Sequence, residues 1–180
     1  MQLSLAILAV FVSAAAAAPT VKRQNFCPLQ NLGSLSVTAS ADPNGKTRWD
    51  VFTVSSELIQ VGDVAWFENN QPNGNEVFTA TAGSAPGLFT FQRQGAQQIG
   101  VVGSSLAASN TPTTFLVSCS GCDAFASGND LAANGCSMEE TDGTNGTGQC
   151  VTFAAANSVV SLQACSPGSP AQNFGIFSVG

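Results

Sequence analysis

Residues 150–177 read CVTFAAANSVVSLQACSPGSPAQNFGIF and contain the clearest strand pattern in the chain. Apolar residues alternate with other residues in three short runs, which are Val151/Phe153, Val160/Leu162 and Phe174/Ile176. A period of two is typical of half-buried strands, and a proline-containing segment precedes the last run. The stretch therefore predicts two neighbouring strands, a turn and a third strand.

The same stretch contains Cys150 and Cys165, two of the six cysteines of the chain, at the ends of neighbouring predicted strands. An even number of cysteines in an exported chain predicts disulfides before metal ligands. A bridge between Cys150 and Cys165 would stabilise this unit by about 3 kcal/mol, as expected for a loop of this length. The pairing of the others stays open; they are Cys27, Cys119, Cys122 and Cys136.

The order of residues here resembles one repeat of the ricin B-type lectins. That family's repeat runs Cys-Leu-Asp-Val, then an alternating strand that ends in Cys, then Gln-x-Trp. This chain has Cys-Val-Thr-Phe from Cys150, Val-Ser-Leu-Gln-Ala-Cys up to Cys165, and Gln172-Asn173-Phe174, with Phe in place of Trp. The resemblance covers about a sixth of the chain and implies a β-trefoil that binds carbohydrate without catalysis.

This repeat differs from the family at the places that hold the sugar. Thr152 stands at the Asp position, Gln163 where an aromatic residue is common, and Ser166 at the Asn position. The resemblance therefore implies that this repeat does not bind sugar in the family's way.

Short alternating runs also fill the chain from Leu35 to Phe91, separated by turn sequences such as Asp42-Pro43-Asn44-Gly45. Strands about every ten residues predict a barrel, a sandwich or a trefoil. An internal repeat favours the trefoil, because residues 79–91 echo residues 163–176. A true repeat would also require a third copy.

From Gly121 to Gln149 the chain is rich in Gly, Asn, Asp and Thr, which predicts a long, disulfide-pinned insertion between strands. Asn145-Gly146-Thr147 in this region is a glycosylation sequon, and an unused Asn-Gly turn is the alternative. The acids of residues 139–142 could hold calcium, although a solvated acidic loop fits their spacing better.

The N-terminal residues 1–18 are expected to be a secretory signal peptide. An uncharged apolar run from Leu3 to Val12 is too short to span a bilayer and is followed by small residues up to Ala18. Residues 19–23 form a leader that ends in the dibasic pair Lys22-Arg23, which leaves residues 24–180 as one β-trefoil-like domain. We expect an extracellular, cell-wall-associated protein of the kind that fungi secrete.

Composition limits the chemistry that this chain can perform. Five basic and eleven acidic residues give a net charge of −6, which argues against nucleic acid or anionic membranes as partners. The chain has no histidine, so it cannot assemble a Ser-His-Asp or Cys-His site. Cys119-x-x-Cys122 lacks a second such pair, which argues against a redox or zinc motif. We expect no catalytic residues, no metal and no cofactor.

A sugar site needs an aromatic face and planar hydrogen-bonding side chains. In the first candidate repeat, Val61-Gly62-Asp63-Val64 would take the place of Cys-Leu-Asp-Val. The predicted carbohydrate-binding residues of this repeat are Asp63, Trp66, Asn73, Asn75 and Glu76. The alternative is that Trp66 packs in the core and Asp63 caps a turn.

Two other functions stay open at this point. One is a structural or interaction protein of the extracellular matrix or cell wall that has lost sugar binding. The other is a glycosidase, which would need two carboxylates at about 5–9 Å, with Asp63, Glu68 and Glu76 as the candidates.

Overall fold

The computed structural model describes residues 25–40, 47–51, 59–63, 74–95, 97–155 and 158–180, with the backbone alone for residues 59–63. The expected signal peptide and leader lie outside these residues. Among the residues described, no helix is long and apolar enough to cross a membrane.

Strands make up nearly all the regular structure of the described chain, together with two short 3₁₀ turns at Leu29–Leu32 and Pro170–Gln172. The strands are β1 (Ser34–Ala39), β2 (Thr47–Val51), β3 (Ile59–Asp63), β4 (Phe78–Ala82), β5 (Leu88–Arg93), β6 (Gln98–Val102), β7 (Ser105–Ser109), β8 (Phe115–Ser118), β9 (Gly121–Cys122), β10 (Leu131–Thr141), β11 (Gly146–Thr152), β12 (Ser158–Val159), β13 (Ser161–Ala164) and β14 (Phe174–Val179). The all-β prediction is confirmed.

Six of these strands close into an antiparallel barrel. Around the barrel, β1 pairs with β4, β4 with β5, β5 with β8, β8 with β10, β10 with β14, and β14 with β1. Closure pairs the backbone groups that an edge strand would leave open.

Three hairpins, β2–β3, β6–β7 and β11–β13, lie along the chain between barrel strands. The chain thus runs three times through barrel strand, hairpin and barrel strand. We call these the first unit (34–82), the second unit (88–118) and the third unit (131–179). The hairpins adjoin one another, because β13 pairs with β7 and β12 pairs with β3.

The two copies of the sequence repeat do not begin at equivalent strands of these units. Residues 79–91 cover β4 and β5, which are the last strand of one unit and the first strand of the next. Residues 163–176 instead cover the end of β13 and the start of β14, within one unit. Gly, Ser and Pro form turns at any strand junction, so this pattern does not indicate where a unit begins.

The prediction that residues 121–149 form an insertion is wrong. This stretch contains β10, an eleven-residue barrel strand, and the start of β11. Its composition is typical of loops, but Ala133, Cys136 and Met138 are buried. Gly135 has a φ of 59° and lies within the second of two irregularities in the pairing with β14, the one between Ala133 and Cys136. Small residues and a bulge therefore bend a true strand around the barrel.

Aromatic side chains fill the barrel interior. Trp49 is fully buried, and its ring meets those of Phe78 and Phe91 edge-on at centroid distances of 5.9 Å and that of Phe174 at 6.2 Å. Such pairs contribute about 0.5–1.5 kcal/mol each beyond the burial of their area. Phe115 is fully buried in the same interior, whereas Phe125 is 93% exposed.

Three disulfides join Cys27 to Cys122, Cys119 to Cys136, and Cys150 to Cys165. The predicted Cys150–Cys165 bridge is confirmed, and it links β11 to the residue after β13. Both cysteines of Cys119-x-x-Cys122 are bonded to other cysteines, so they form neither a redox pair nor half a zinc site.

Candidate functional site

Equivalent positions in the three units follow from the strand pairing. In each unit, one residue of the first strand pairs with the buried phenylalanine that begins the last strand. Three residues further along, the first strand pairs with the hairpin. The pairs are Leu35 with Phe78, Phe89 with Phe115 and Cys136 with Phe174, then Thr38 with Arg48, Gln92 with Gln98 and Glu139 with Cys150.

Two residues further along the hairpins, the equivalent residues are Asp50, Gly100 and Thr152. The sequence analysis aligned Thr152 with the Asp position of the ricin B-type repeat, and Asp50 is the equivalent of Thr152 in the first unit. The residue that the sequence analysis named is Asp63, whose backbone lies at the end of β3. Asp50 was not among the named residues, although a valine follows it as one follows Asp63.

Asp50 lies in a half-buried polar cluster with Asn75 and Arg93. The Val51 N–H donates to the Asn75 carbonyl oxygen at 3.0 Å, and Arg93 Nη1 donates to Asn75 Oδ1 at 3.1 Å. Burial raises the pKa of Asp50, and the positive charge of Arg93 opposes that rise. Asp50 Oδ1 and Arg93 Nε are buried and make no hydrogen bond within the described chain. The cluster therefore holds one buried acceptor and one buried donor whose partners the described residues do not supply.

Among the predicted sugar-binding residues, the structure brings Asn75 into this cluster. Glu76 is 1% exposed and lies at the position equivalent to Gln172, so its side chain belongs to the protein interior. Trp66 and Asn73 lie outside the described residues. Their role in sugar binding, like that of Asp63, stays a prediction.

The equivalent position of the third unit is closed by internal hydrogen bonds. Thr152 is 4% exposed, and its hydroxyl donates to the Cys150 carbonyl oxygen at 3.0 Å. Gln172 Nε2 donates to Thr152 Oγ1 and to the Ala164 carbonyl oxygen, both at 3.0 Å. The Ser166 N–H donates to Gln172 Oε1 at 2.7 Å. This Gln172 network leaves no room for a sugar hydroxyl at Thr152.

A cleft of about 740 Å³ opens between the second and third units. We call it the disulfide cleft, because Cys119–Cys136 and Cys150–Cys165 both line it. Its polar side chains belong to Ser118, Ser120, Ser137, Glu139, Ser166, Ser169, Gln172 and Asn173. Its volume lies within the range of about 300–1,000 Å³ that is usual for ligand sites.

The acidic turn between β10 and β11 binds its own backbone. Asp142 Oδ1 accepts the N–H groups of Asn145 at 2.7 Å and Thr144 at 2.8 Å, and these bonds lower the pKa of Asp142. Within the described ranges, no group of three or more His, Cys, Asp or Glu residues is placed to hold a metal ion. Asn145 is exposed in this turn, and its glycosylation stays a prediction.

No family model and no curated protein matches the chain. Among solved structures, the fold is similar to that of a chain in the cytolethal distending toxin of Haemophilus ducreyi, with a TM-score of 0.54 and 11% sequence identity. The match covers 90% of this chain and 93% of that chain. At this identity the likeness concerns the fold alone.

Proposed function

We propose that this is a secreted, disulfide-bonded β-trefoil protein that binds carbohydrate non-covalently through the Asp50 cluster of its first unit. The expected ligands are glycans or cell-wall polysaccharides. The observation that carries the proposal is the equivalence of Asp50 with the position at which ricin B-type lectins use a carboxylate. Asn75, which the sequence had already named, lies beside it.

The fold supports the trefoil part of the proposal. Six barrel strands and three hairpins in a threefold order are what a β-trefoil contains. Three disulfides support export, because such bonds persist in oxidising compartments.

The chemistry of the Asp50 cluster supports binding to hydroxyl groups. A carboxylate oxygen accepts hydrogen bonds from sugar hydroxyls, and the Arg93 guanidinium donates to sugar oxygens. Hydrogen bonds to charged groups contribute about 1.5–3 kcal/mol each, so two of them give useful affinity at a half-buried site.

The proposed activity is binding without catalysis. A glycosidase would need a second carboxylate facing the same ligand. Glu76, the sequence neighbour of Asn75, is enclosed in the protein interior. Among the described residues that line the disulfide cleft, Glu139 is the one acid.

The test is a glycan array that includes insoluble wall polysaccharides, probed with the mature wild-type protein and with Asp50→Ala. Asp130→Ala is the matched control, because it removes the same charge from an exposed site in a loop. We expect Asp50→Ala to lose tenfold or more in affinity, consistent with about 1.5–3 kcal/mol for a charged hydrogen bond, while Asp130→Ala binds as the wild type does.

Two further variants separate the Asp50 cluster from the earlier sequence prediction. Loss of binding in Asp63→Ala and Trp66→Ala, with Asp50→Ala unaffected, would move the site to the β3 end of the first unit. Absence of binding to every glycan would contradict carbohydrate binding by this protein.

A structural or interaction protein of the matrix or cell wall is the second candidate. It is favoured by the Gln172 network, which fills the third unit's sugar position, and by Gly100, which leaves the second unit without a polar side chain there. Pull-down of wall proteins by a chain that binds no glycan would support this function.

A further inference from the structure

We propose that the disulfide cleft is a second carbohydrate site, separate from Asp50, and that it takes an amino sugar whose protonated amine bonds to Glu139. The inference rests on the proposed function for the class of its ligand. Its residues belong to a different part of the protein.

Glu139 is a preorganised carboxylate. Its Oε1 accepts the Gly148 N–H at 2.8 Å, and the carboxylate lies directly over Gly146, where a Cβ atom would collide with it. The absence of a side chain at position 146 therefore allows the Glu139 carboxylate to lie against the backbone of β11. Its Oε2 has no hydrogen-bond donor in the described part of the chain. One fixed oxygen is therefore free to accept a bond from a ligand.

Asn173 also lines the cleft. Its Oδ1 is buried and has no hydrogen-bond partner among the residues described. Asn173 directly precedes Phe174, which pairs with Cys136, so its backbone is held between β14 and β10. Buried acceptors without partners are rare in folded proteins, and a ligand donor at Asn173 would explain this one.

The cleft walls suit a rigid, hydroxylated molecule. Two disulfides hold the walls in place, so little order has to be gained on binding. Five serines and the backbone between them line the rest of the surface. Their hydroxyls both donate and accept, as the hydroxyls of a sugar ring require.

Charge selects the class of sugar. The described residues of the lining include one carboxylate and neither lysine nor arginine, and the whole chain carries a net charge of −6. An acidic sugar would meet a negative charge without a compensating cation. A protonated amine instead forms a charge-assisted hydrogen bond with Glu139 Oε2, which is about twice as strong as a neutral one.

The test is isothermal titration of the mature protein with a β-1,4-linked glucosamine hexamer at pH 5.5, where the sugar amine is protonated. The N-acetylglucosamine hexamer differs only by capping the amine, and hexalysine carries amines without a sugar. We expect the glucosamine hexamer to bind at least tenfold more tightly than either.

Glu139→Gln should weaken binding of the glucosamine hexamer about tenfold, because it removes the charge but keeps an oxygen that can accept the Gly148 N–H. Asn173→Ala should weaken it several-fold. Glu140→Gln is the matched control, since Glu140 is adjacent in sequence, carries the same charge and lies outside the cleft lining.

Three outcomes would overturn the inference: no binding of the glucosamine hexamer, equal loss in Glu140→Gln and Glu139→Gln, or hexalysine binding as tightly as the sugar. Asp50→Ala separates the two proposals. Unchanged glucosamine binding in Asp50→Ala supports a distinct site even where that variant has lost the glycans of the first unit, whereas loss in Asp50→Ala alone would contradict a site at the disulfide cleft.

Discussion

The first and third units place different residues at one position of one fold, and the contrast concerns what surrounds the polar atom. In the third unit, Thr152 is enclosed and bonded to Gln172, so its oxygen is already used by the protein. In the first unit, Asp50 is half-buried and one of its oxygens is unpaired within the described residues. The third unit uses this position for stability, and the proposal is that the first unit uses it to bind a ligand.

The two units also differ two residues earlier in the hairpin. The third unit has Cys150 where the first has Arg48, and Cys150 is bonded to Cys165 across the hairpin. Arg48 is buried, and its Nη1 donates to Ser36 Oγ at 3.2 Å. At equivalent positions, the third unit is therefore held by a covalent bond and the first by a hydrogen bond.

Removing the covalent bond is expected to have the largest effect. Cys150→Ser combined with Cys165→Ser should lower the free energy of unfolding by about 3 kcal/mol, because the reduced loop gains entropy in the unfolded chain. Guanidinium unfolding measures this loss. Glycan binding through Asp50 should persist under conditions where the variant is folded, and a loss of less than 1 kcal/mol would mean that the hairpin does not need its disulfide.

Breaking the Gln172 network should come next. Gln172→Ala removes three hydrogen bonds at a buried site and should cost about 2–3 kcal/mol of unfolding free energy, at roughly 1 kcal/mol each. Gln163→Ala, at an exposed position of the same hairpin, should change stability by less than about 0.5 kcal/mol. Equal effects of the two substitutions would contradict the structural role of Gln172.

Titration of Asp50 should have a smaller effect on the free energy of unfolding, and the direction of its pKa shift fixes the sign. Burial raises the pKa of Asp50 in the folded state, so protonation favours folding, and the wild type loses this contribution as the pH rises through the raised pKa. Asp50→Asn should therefore be more stable than the wild type at pH 7. The difference should vanish below the ordinary Asp pKa of about 3.9. Thermal unfolding between pH 3 and pH 7 measures it, and a variant less stable at pH 7 would contradict the assigned cause.

Of these changes, removal of the sequon should have the smallest effect on stability. Asn145→Gln should remove an N-linked glycan from protein secreted by a eukaryotic host, seen as a loss of mass. Stability should change by less than about 0.5 kcal/mol, because the side chain is exposed and the turn is held by Asp142 instead. An unchanged mass would show that the sequon is unused.

The sequence predicted what depends on local alternation. Strands in residues 150–177, the Cys150–Cys165 bridge and the buried phenylalanines all followed from period-two patterns and cysteine position. The prediction of an insertion over residues 121–149 was wrong because a barrel strand made of small residues has the composition of a loop. Ala133 and Cys136 show their role only when β14 lies beside them.

The candidate site was harder to predict because it depends on alignment between units. Unit boundaries are set by which strands pair, and Asp63 and Asp50 both precede a valine in a predicted strand. The pairing of Thr38 with Arg48 aligns Asp50 with Thr152, and this pairing between β1 and β2 is visible only in the structure. Glu76 is a similar case, since its equivalence to Gln172 appears only once Phe78 and Phe174 are superposed in the barrel.

Barrel closure by β1 and β14 also has a consequence for the timing of folding. Six consecutive residue pairs join these strands, from Ser34 with Val179 to Ala39 with Phe174. The barrel therefore closes only once β14 has been synthesised, and contacts so distant in sequence form slowly. Until then β1 and β10 each have one edge without its partner strand, and unpaired strand edges promote aggregation. During synthesis, the nascent chain therefore has to be kept from self-association until β14 is available.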